Sequence, residues 1–174
     1  DIFGTYDMPT ECGTVFRKKM SASQDSEVVN LIKNAGAIIM GKTVTAELAY
    51  IHPGKTTNPH DYSRTPGGSS SGSAAVIASQ MAPLSVGSQT GGSIIRPASY
   101  CGVVGYKPSY GLISRSGVLK TSEKLDTIGV FGKSVEAVAL LAKALIKKDL
   151  YDPDTVHFSA EGMVEASKKD PYFE

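Results

Sequence analysis

Apolar positions along this chain fall into short, separated groups, and each group implies one element. Val28, Val29, Leu31 and Ile32 lie on one face of a helix that starts near Ser23 or Asp25 and runs to about Ala35, with Gly36 as its stop. The run Ala37-Ile38-Ile39-Met40 predicts a buried strand. Helix, glycine and apolar strand in succession mark an α/β layer. A short helix is expected over Thr45 to Tyr50, and the stretch 51–72 is polar and rich in Pro, Gly and Ser. Loops of that length in a compact domain are uncommon and often functional.

Residues 73–79, nearly all small or apolar, predict a buried helix whose N-terminus faces the Gly-Ser loop. Its first N–H groups and positive dipole end would then point into that loop. Pro83-Leu84-Ser85-Val86-Gly87 predicts a strand, and Ile94 to Tyr100 a short helix with Pro97 in its first turn. Residues 101–132 read as glycine-punctuated strands and turns. Ser134 caps the clearest helix, to about Lys148, with Val135, Val138, Leu141 and Leu145 on its buried face. Residues 149–174 read as a polar tail without a strong period, and no internal repeat is present. The fold class is α/β, a mixed sheet covered by helices, in a single domain spanning 1–174 and incomplete at its edges.

Composition narrows the field. The 174 residues carry a net charge of +1 with 20% charged residues and no basic stripe, so neither nucleic acid nor a bilayer surface is an expected partner. No apolar run approaches the roughly 20 residues of a membrane span. Two cysteines, Cys12 and Cys101, argue against a disulfide scaffold and fit a reducing, cytoplasmic compartment. No Cys/His cluster has metal-ligand spacing, and no metal or organic cofactor is implied.

The chemistry concentrates in two Gly-Gly-Ser elements, Gly67-Gly68-Ser69 and Gly91-Gly92-Ser93, with a small-residue segment between them. A hydroxyl nucleophile needs backbone N–H donors around it to hold a developing oxyanion, and glycines let the backbone come close to a substrate. Ser93 is thus a candidate nucleophile, with Thr90, Gly91 and Gly92 around it and Ser69 as a second serine that hands the proton on. Alone, a Gly-Gly-Ser turn is more often a plain capping turn, and a Gly/Ser run more often a linker. The repeat of the element and the apolar helix that follows the first copy change that balance. A phosphate-cradling loop is the rival reading, but Ser69 is not followed by the Gly-Lys-Ser/Thr of a nucleotide loop, and Gly41-Lys42-Thr43 lacks the upstream glycine. Arg96, one helical turn after Ser93, is placed either to hold a carboxylate or to make a structural ion pair. His52, His60 and His157 read as loop or surface histidines, and Cys101 as a small buried residue.

The stretch from Gly67-Gly-Ser-Ser-Ser-Gly-Ser-Ala-Ala through Gly91-Gly-Ser-Ile-Ile-Arg-Pro-Ala to Cys101-Gly-Val-Val-Gly-Tyr-Lys-Pro-Ser resembles the amidase signature family, and within it the malonamidase type. The resemblance runs from Asp1 to about Ala144. The usual Gly-Thr-Asp before Thr-Gly-Gly-Ser is here Gly87-Ser88-Gln89. The resemblance implies amide hydrolysis through a Ser–cis-Ser–Lys triad, with Ser93 as nucleophile, Ser69 as bridging serine after a cis peptide, and a buried neutral lysine as base. The family lysine belongs to a Lys-Asp pair and would be the residue just before Asp1; Lys42 and Lys107 fall at other family positions. Family members are also much longer. The chain is therefore expected to be the middle of an amidase, nearly inactive alone, acting on a small-molecule amide, with exposed edges that favour a homo-oligomer. The alternatives are a glutamine-hydrolysing component of an amidotransferase and a non-catalytic anion-binding fragment.

Overall fold

The computed structural model describes residues 1–170. Its centre is a three-stranded sheet in the order β1-β3-β2, formed by β1 (Leu84–Gln89), β2 (Val104–Tyr106) and β3 (Thr127–Gly132). Both neighbours run antiparallel to β3: Leu84 faces Gly132 in one ladder and Val104 faces Gly132 in the other. All six residues of β3 are buried, as its central place requires. Its side chains alternate between two faces, so Ile128 and Val130 enter one apolar cluster and Phe131 the other.

Helices cover both faces. α1 (Glu27–Asn34) and α4 (Val135–Leu145) close the side of Ile128 and Val130, with Val28, Leu31, Val138, Leu141 and Leu145 in the core. α2 (Ser71–Ala78) and α3 (Ile95–Cys101) close the other, where Ala74, Ile77, Ala98 and Cys101 surround Phe131. The α/β class and the covering helices follow the sequence reading. Ser134 caps α4 by accepting from the Ala137 N–H at 3.1 Å, as its position predicted.

Several expectations are corrected. Ala37–Met40 is not a strand: it joins no ladder, and Ile38 and Met40 are 86% and 75% exposed. Nothing among the described residues covers this run. The helix over 45–50 shrinks to a 3-10 turn, Glu47–Ala49. Neither Asp25 nor Ser23 caps α1; Ser26 holds the N-cap position, and the Asp25 carboxylate is taken by Lys33 at 2.7 Å and by the Tyr6 N–H at 2.8 Å. On α4, Val135 is exposed, since the stripe that meets the sheet is Val138, Leu141, Ala142 and Leu145.

The segment from 149 onward, read as a polar tail, packs into the molecule. Asp149, Asp152 and Thr155 are buried, and α5 (Met163–Ser167) lies against α4. The two aspartate side chains reach partners more than thirty residues upstream. Asp152 pairs with the buried Arg115, and the Asp149 carboxylate accepts from the Ser114 and Ser116 hydroxyls at 2.5 and 2.6 Å. The last residues of that tail, 171–174, lie outside the described residues.

Candidate active site

The site grows from the two ends of a crossover. Leaving Pro66, the chain passes Gly67 and Gly68 and enters α2 at its N-cap, Ser70. It returns along β1, turns through Thr90–Ser93 and enters α3 at its N-cap, Ile94. Close packing brings the two turns together, and glycine makes it possible. Gly67, at φ 79°, lies so near α3 that a Cβ there would meet the Pro97 Cα at 2.9 Å. Gly87 opens the space in which the Ser70 hydroxyl reaches β1; a Cβ there would meet the Ser70 Oγ at 2.6 Å.

Backbone and side chain then join the turns. The Ser70 N–H donates to the Ser93 carbonyl at 3.3 Å, and the Arg96 Nε donates to the Gly68 carbonyl at 3.0 Å. The Ser69 carbonyl accepts from the Ala46 N–H at 2.9 Å and the Thr45 hydroxyl at 3.1 Å. The Gly68–Ser69 peptide is cis, as the resemblance implied.

Ser69 and Ser93 are 2% and 8% exposed. Neither hydroxyl is hydrogen-bonded to any protein group among the described residues, including each other. The other serines of the first run are engaged. The Ser70 hydroxyl donates to the Ser88 carbonyl and accepts from its N–H. That of Ser71 donates to the Val44 carbonyl, and that of Ser73 to the Val86 carbonyl at 2.8 Å. Two of the α2 N–H groups expected to face the site are also used, Ser70 by Ser93 and Gly72 by Val44. The unengaged donors lie elsewhere: among the described residues, the N–H groups of Gly91, Gly92 and Ser93 meet no protein acceptor.

The turn that offers those N–H groups is tied at both ends. The Thr90 hydroxyl bonds Asp126 and, at 2.9 Å, the Thr121 hydroxyl. Asp126 also accepts from the Thr121 and Ser122 N–H groups at 2.6 and 2.9 Å. Burial works to raise the Asp126 pKa, but these hydrogen bonds outweigh it and hold the carboxyl below its usual range. At the other end Gln89, 8% exposed, accepts through Oε1 from the Ile94 N–H at 2.8 Å and the Ile95 N–H at 3.0 Å. Sequence reasoning noted Gln89 only as a departure from the family pattern. Its burial and its two contacts had no local signature beyond its place at the end of a strand.

Arg96 makes no ion pair among the described residues. Beyond its bond to Gly68 its guanidinium is exposed. Lys42 is spent on structure: its ammonium donates to the Phe3 carbonyl at 2.8 Å and to the Thr5 and Thr10 hydroxyls at 3.2 and 2.5 Å. Burial lowers its pKa to about 8. Lys107 donates to the Pro108 carbonyl. The His60 ring bonds the Cys101 carbonyl, His157 is exposed, and His52 lines an open cleft with Leu48, Tyr50, Ile51 and Thr121. Cys101 is buried with its thiol against the Pro66 carbonyl, and burial raises its pKa. No group of His, Cys, Asp or Glu among the described residues is arranged to hold a metal ion, and no helix there is long and apolar enough to cross a membrane.

Paired Gly-Gly-Ser turns on a helix-covered sheet define a class of protein, and comparison with known sequences gives it a name: the chain belongs to the Amidase family, whose model matches residues 1–171. Among curated relatives it is 42% identical to the A subunit of the glutamyl-tRNA(Gln) amidotransferase from Sulfurihydrogenibium sp. (strain YO3AOP1), over 98% of this chain and 36% of that protein. Among solved structures it is similar to the A subunit of the glutamyl-tRNA(Gln) amidotransferase from Thermotoga maritima, with TM-score 0.86 and 39% identity over 90% of this chain and 36% of that one. It is also similar to the peptide amidase from Stenotrophomonas maltophilia, with TM-score 0.85 and 31% identity over 93% and 35%. These neighbours share the amidase signature fold. The chain spans about a third of the length of the relatives it matches.

Proposed function

We propose that this chain carries the acylation centre of an amide hydrolase. Ser93 attacks the amide carbonyl, and its proton passes to Ser69. The N–H groups of the Thr90–Ser93 turn receive the developing oxyanion, and the amine or ammonia leaves before water releases the acyl group. One observation carries the reading. Two serines that are 2% and 8% exposed carry hydroxyls without protein partners, and the N–H groups of the exposed Gly91, the half-buried Gly92 and Ser93 are likewise free, where two Gly-Gly-Ser turns are hydrogen-bonded together. Free donors on a glycine turn that a substrate can approach closely suit an incoming carbonyl oxygen. The free edge of the Arg96 guanidinium beside this turn suits a substrate carboxylate.

The base in this reading is the lysine of the family's Lys-Asp pair, carried by the residue before Asp1. The backbone nitrogen of Asp1 lies 3.0 Å from the Thr43 carbonyl, and the Thr43 hydroxyl bonds Ser73 of α2. The test is mass spectrometry after exposure to a serine-directed fluorophosphonate, on this chain and on one extended upstream through that lysine. Labelling of Ser93 in the extended chain only supports the reading; labelling in neither sinks it.

A second reading, a glutamine-hydrolysing component of an amidotransferase, is favoured by the names of the relatives at about 42% identity. Glutaminase activity that rises on adding partner subunits separates it from a free amidase. Two buried, unpaired cysteines support a reducing, cytoplasmic compartment. The exposed Ile38 and Met40 support contact with a second copy, which sedimentation at two concentrations tests.

A further inference from the structure

Gln89 holds a position that the proposed chemistry does not use, yet it controls the backbone on which that chemistry rests. It is the last residue of β1, and its side chain folds back over the turn that its own backbone begins. One oxygen, Oε1, receives two consecutive N–H groups, those of Ile94 and Ile95 at 2.8 and 3.0 Å. These amides open α3, and a helix leaves its first N–H groups without internal partners. Ile94 has no side-chain oxygen to supply as N-cap. An acceptor brought from the far side of the turn fills that need, and in doing so it closes Thr90–Ser93 into a loop of fixed width.

Ser93 is the residue immediately before the pair of amides so held. Its N–H and those of Gly91 and Gly92 meet no acceptor among the described residues, whereas the two next ones are engaged by Gln89. A glycine pair has little stiffness of its own, so the orientation of these donors depends on its anchors: Asp126 through Thr90, Gln89 through α3, the Ser70 N–H on the Ser93 carbonyl and the Arg96 N–H on the Gly92 carbonyl. Gln89 also supplies its acceptor without a charge. The family pattern to which the chain is similar has a carboxylate at this position, and the amide retains the accepting oxygen while its NH2 has no partner among the described residues. What the position demands is the oxygen and its reach.

We infer that Gln89 is a positioning residue for Ser93, acting through the Ile94 and Ile95 N–H groups and not through substrate. This rests on the reading of Ser93 as nucleophile. The test compares wild type, Gln89→Leu, Gln89→Glu and Ser93→Ala in the full-length protein. It uses fluorophosphonate labelling rate, kcat and KM for amide hydrolysis, thermal unfolding, and hydrogen exchange at Ile94 and Ile95.

Gln89→Leu is expected to slow labelling and kcat by about 100-fold, the scale of a misplacement near 1 Å, with KM changed less than about threefold. Exchange at Ile94 and Ile95 rises in the same variant. Gln89→Glu restores the acceptor and is expected to recover labelling to within about tenfold of wild type, since a carboxylate oxygen accepts these bonds at least as well. Gln89→Leu that is folded and labels at the wild-type rate overturns the inference. So does Gln89→Glu that is as slow as Gln89→Leu, or unchanged exchange at the two amides. Wild type that is not labelled at Ser93 is a different failure, that of the nucleophile reading; the exchange data then decide whether Gln89 holds the turn.

Discussion

Two regions of this molecule look alike in sequence, each a cluster of hydroxyls near charged or polar neighbours, and they behave in opposite ways. Around Ser114–Ser116 and Asp149–Thr155 every principal polar group finds a partner within the chain. Arg115, 2% exposed, meets Asp152 at 3.3 Å and Asp154 at 2.6 Å, donates to the Glu123 carbonyl, and stacks over the Tyr110 ring at 4.8 Å. Burial opposes its charge, but the two aspartates outweigh that effect and raise its pKa. Around Ser69 and Ser93, by contrast, hydroxyls and N–H groups are left over, on the buried Ser69 and Ser93, the half-buried Gly92 and the exposed Gly91. A satisfied cluster rigidifies a fold, whereas a cluster with spare donors is prepared for something that is not part of the chain. Satisfaction, more than residue type, separates the two regions.

The contrast can be broken most sharply at Ser93. Ser93→Ala in an extended, active chain is expected to lower kcat by at least about 10⁴-fold, as loss of a serine nucleophile does, with unfolding temperature nearly unchanged. A large fall in stability would show that the hydroxyl is structural after all. Next in size is the satisfied region. Arg115→Met leaves the buried Asp152 carboxylate without its partner and is expected to cost about 3–5 kcal/mol in denaturant unfolding. Labelling at Ser93 should persist in that variant so long as the chain remains folded.

Acid then distinguishes the regions more gently. Asp149, Asp152 and Asp126 all have pKa values below the ordinary 3.8. In each case burial pushes upward, and hydrogen bonds from Ser114 and Ser116, from Arg115, or from Thr90 and the neighbouring N–H groups prevail. A carboxyl with a depressed folded-state pKa contributes stability that is fully present above the unfolded value and is lost as pH falls through the folded one. Melting temperature should therefore be flat from neutral pH down to about pH 5 and fall below about pH 4, and Asp149→Asn should shallow that acid limb. The smallest effect is local: Ser134→Ala removes the cap of α4 and is expected to cost about 1 kcal/mol by denaturant titration, with no effect on labelling.

Much of this was legible in order along the chain. α1, α2, β1, α3 and α4 fall within a few residues of where apolar period and turn residues placed them, because each signal is local. Both Gly-Gly-Ser elements were visible, and the fold puts them side by side. The Ala37–Met40 strand was misread because an apolar run shows that burial is wanted, not that a partner is near. Asp152 and Arg115 were invisible as a pair, since a contact across 37 residues leaves no period in sequence. Ser70, Ser71 and Ser73 could not be told from Ser69 by type; only their hydrogen bonds divide them.

Two of those serines have a consequence for one border of the sheet. β1 lies at the border of the sheet, with β3 on one side only. A border strand ordinarily presents unpaired carbonyls to any passing chain, and that is how sheets recruit one another into aggregates. Here the Val86 and Ser88 carbonyls are occupied by the hydroxyls of Ser73 and Ser70, projected from a helix laid alongside. On this border side chains take the place of a further strand at two carbonyls, while β2 forms the other border of the sheet.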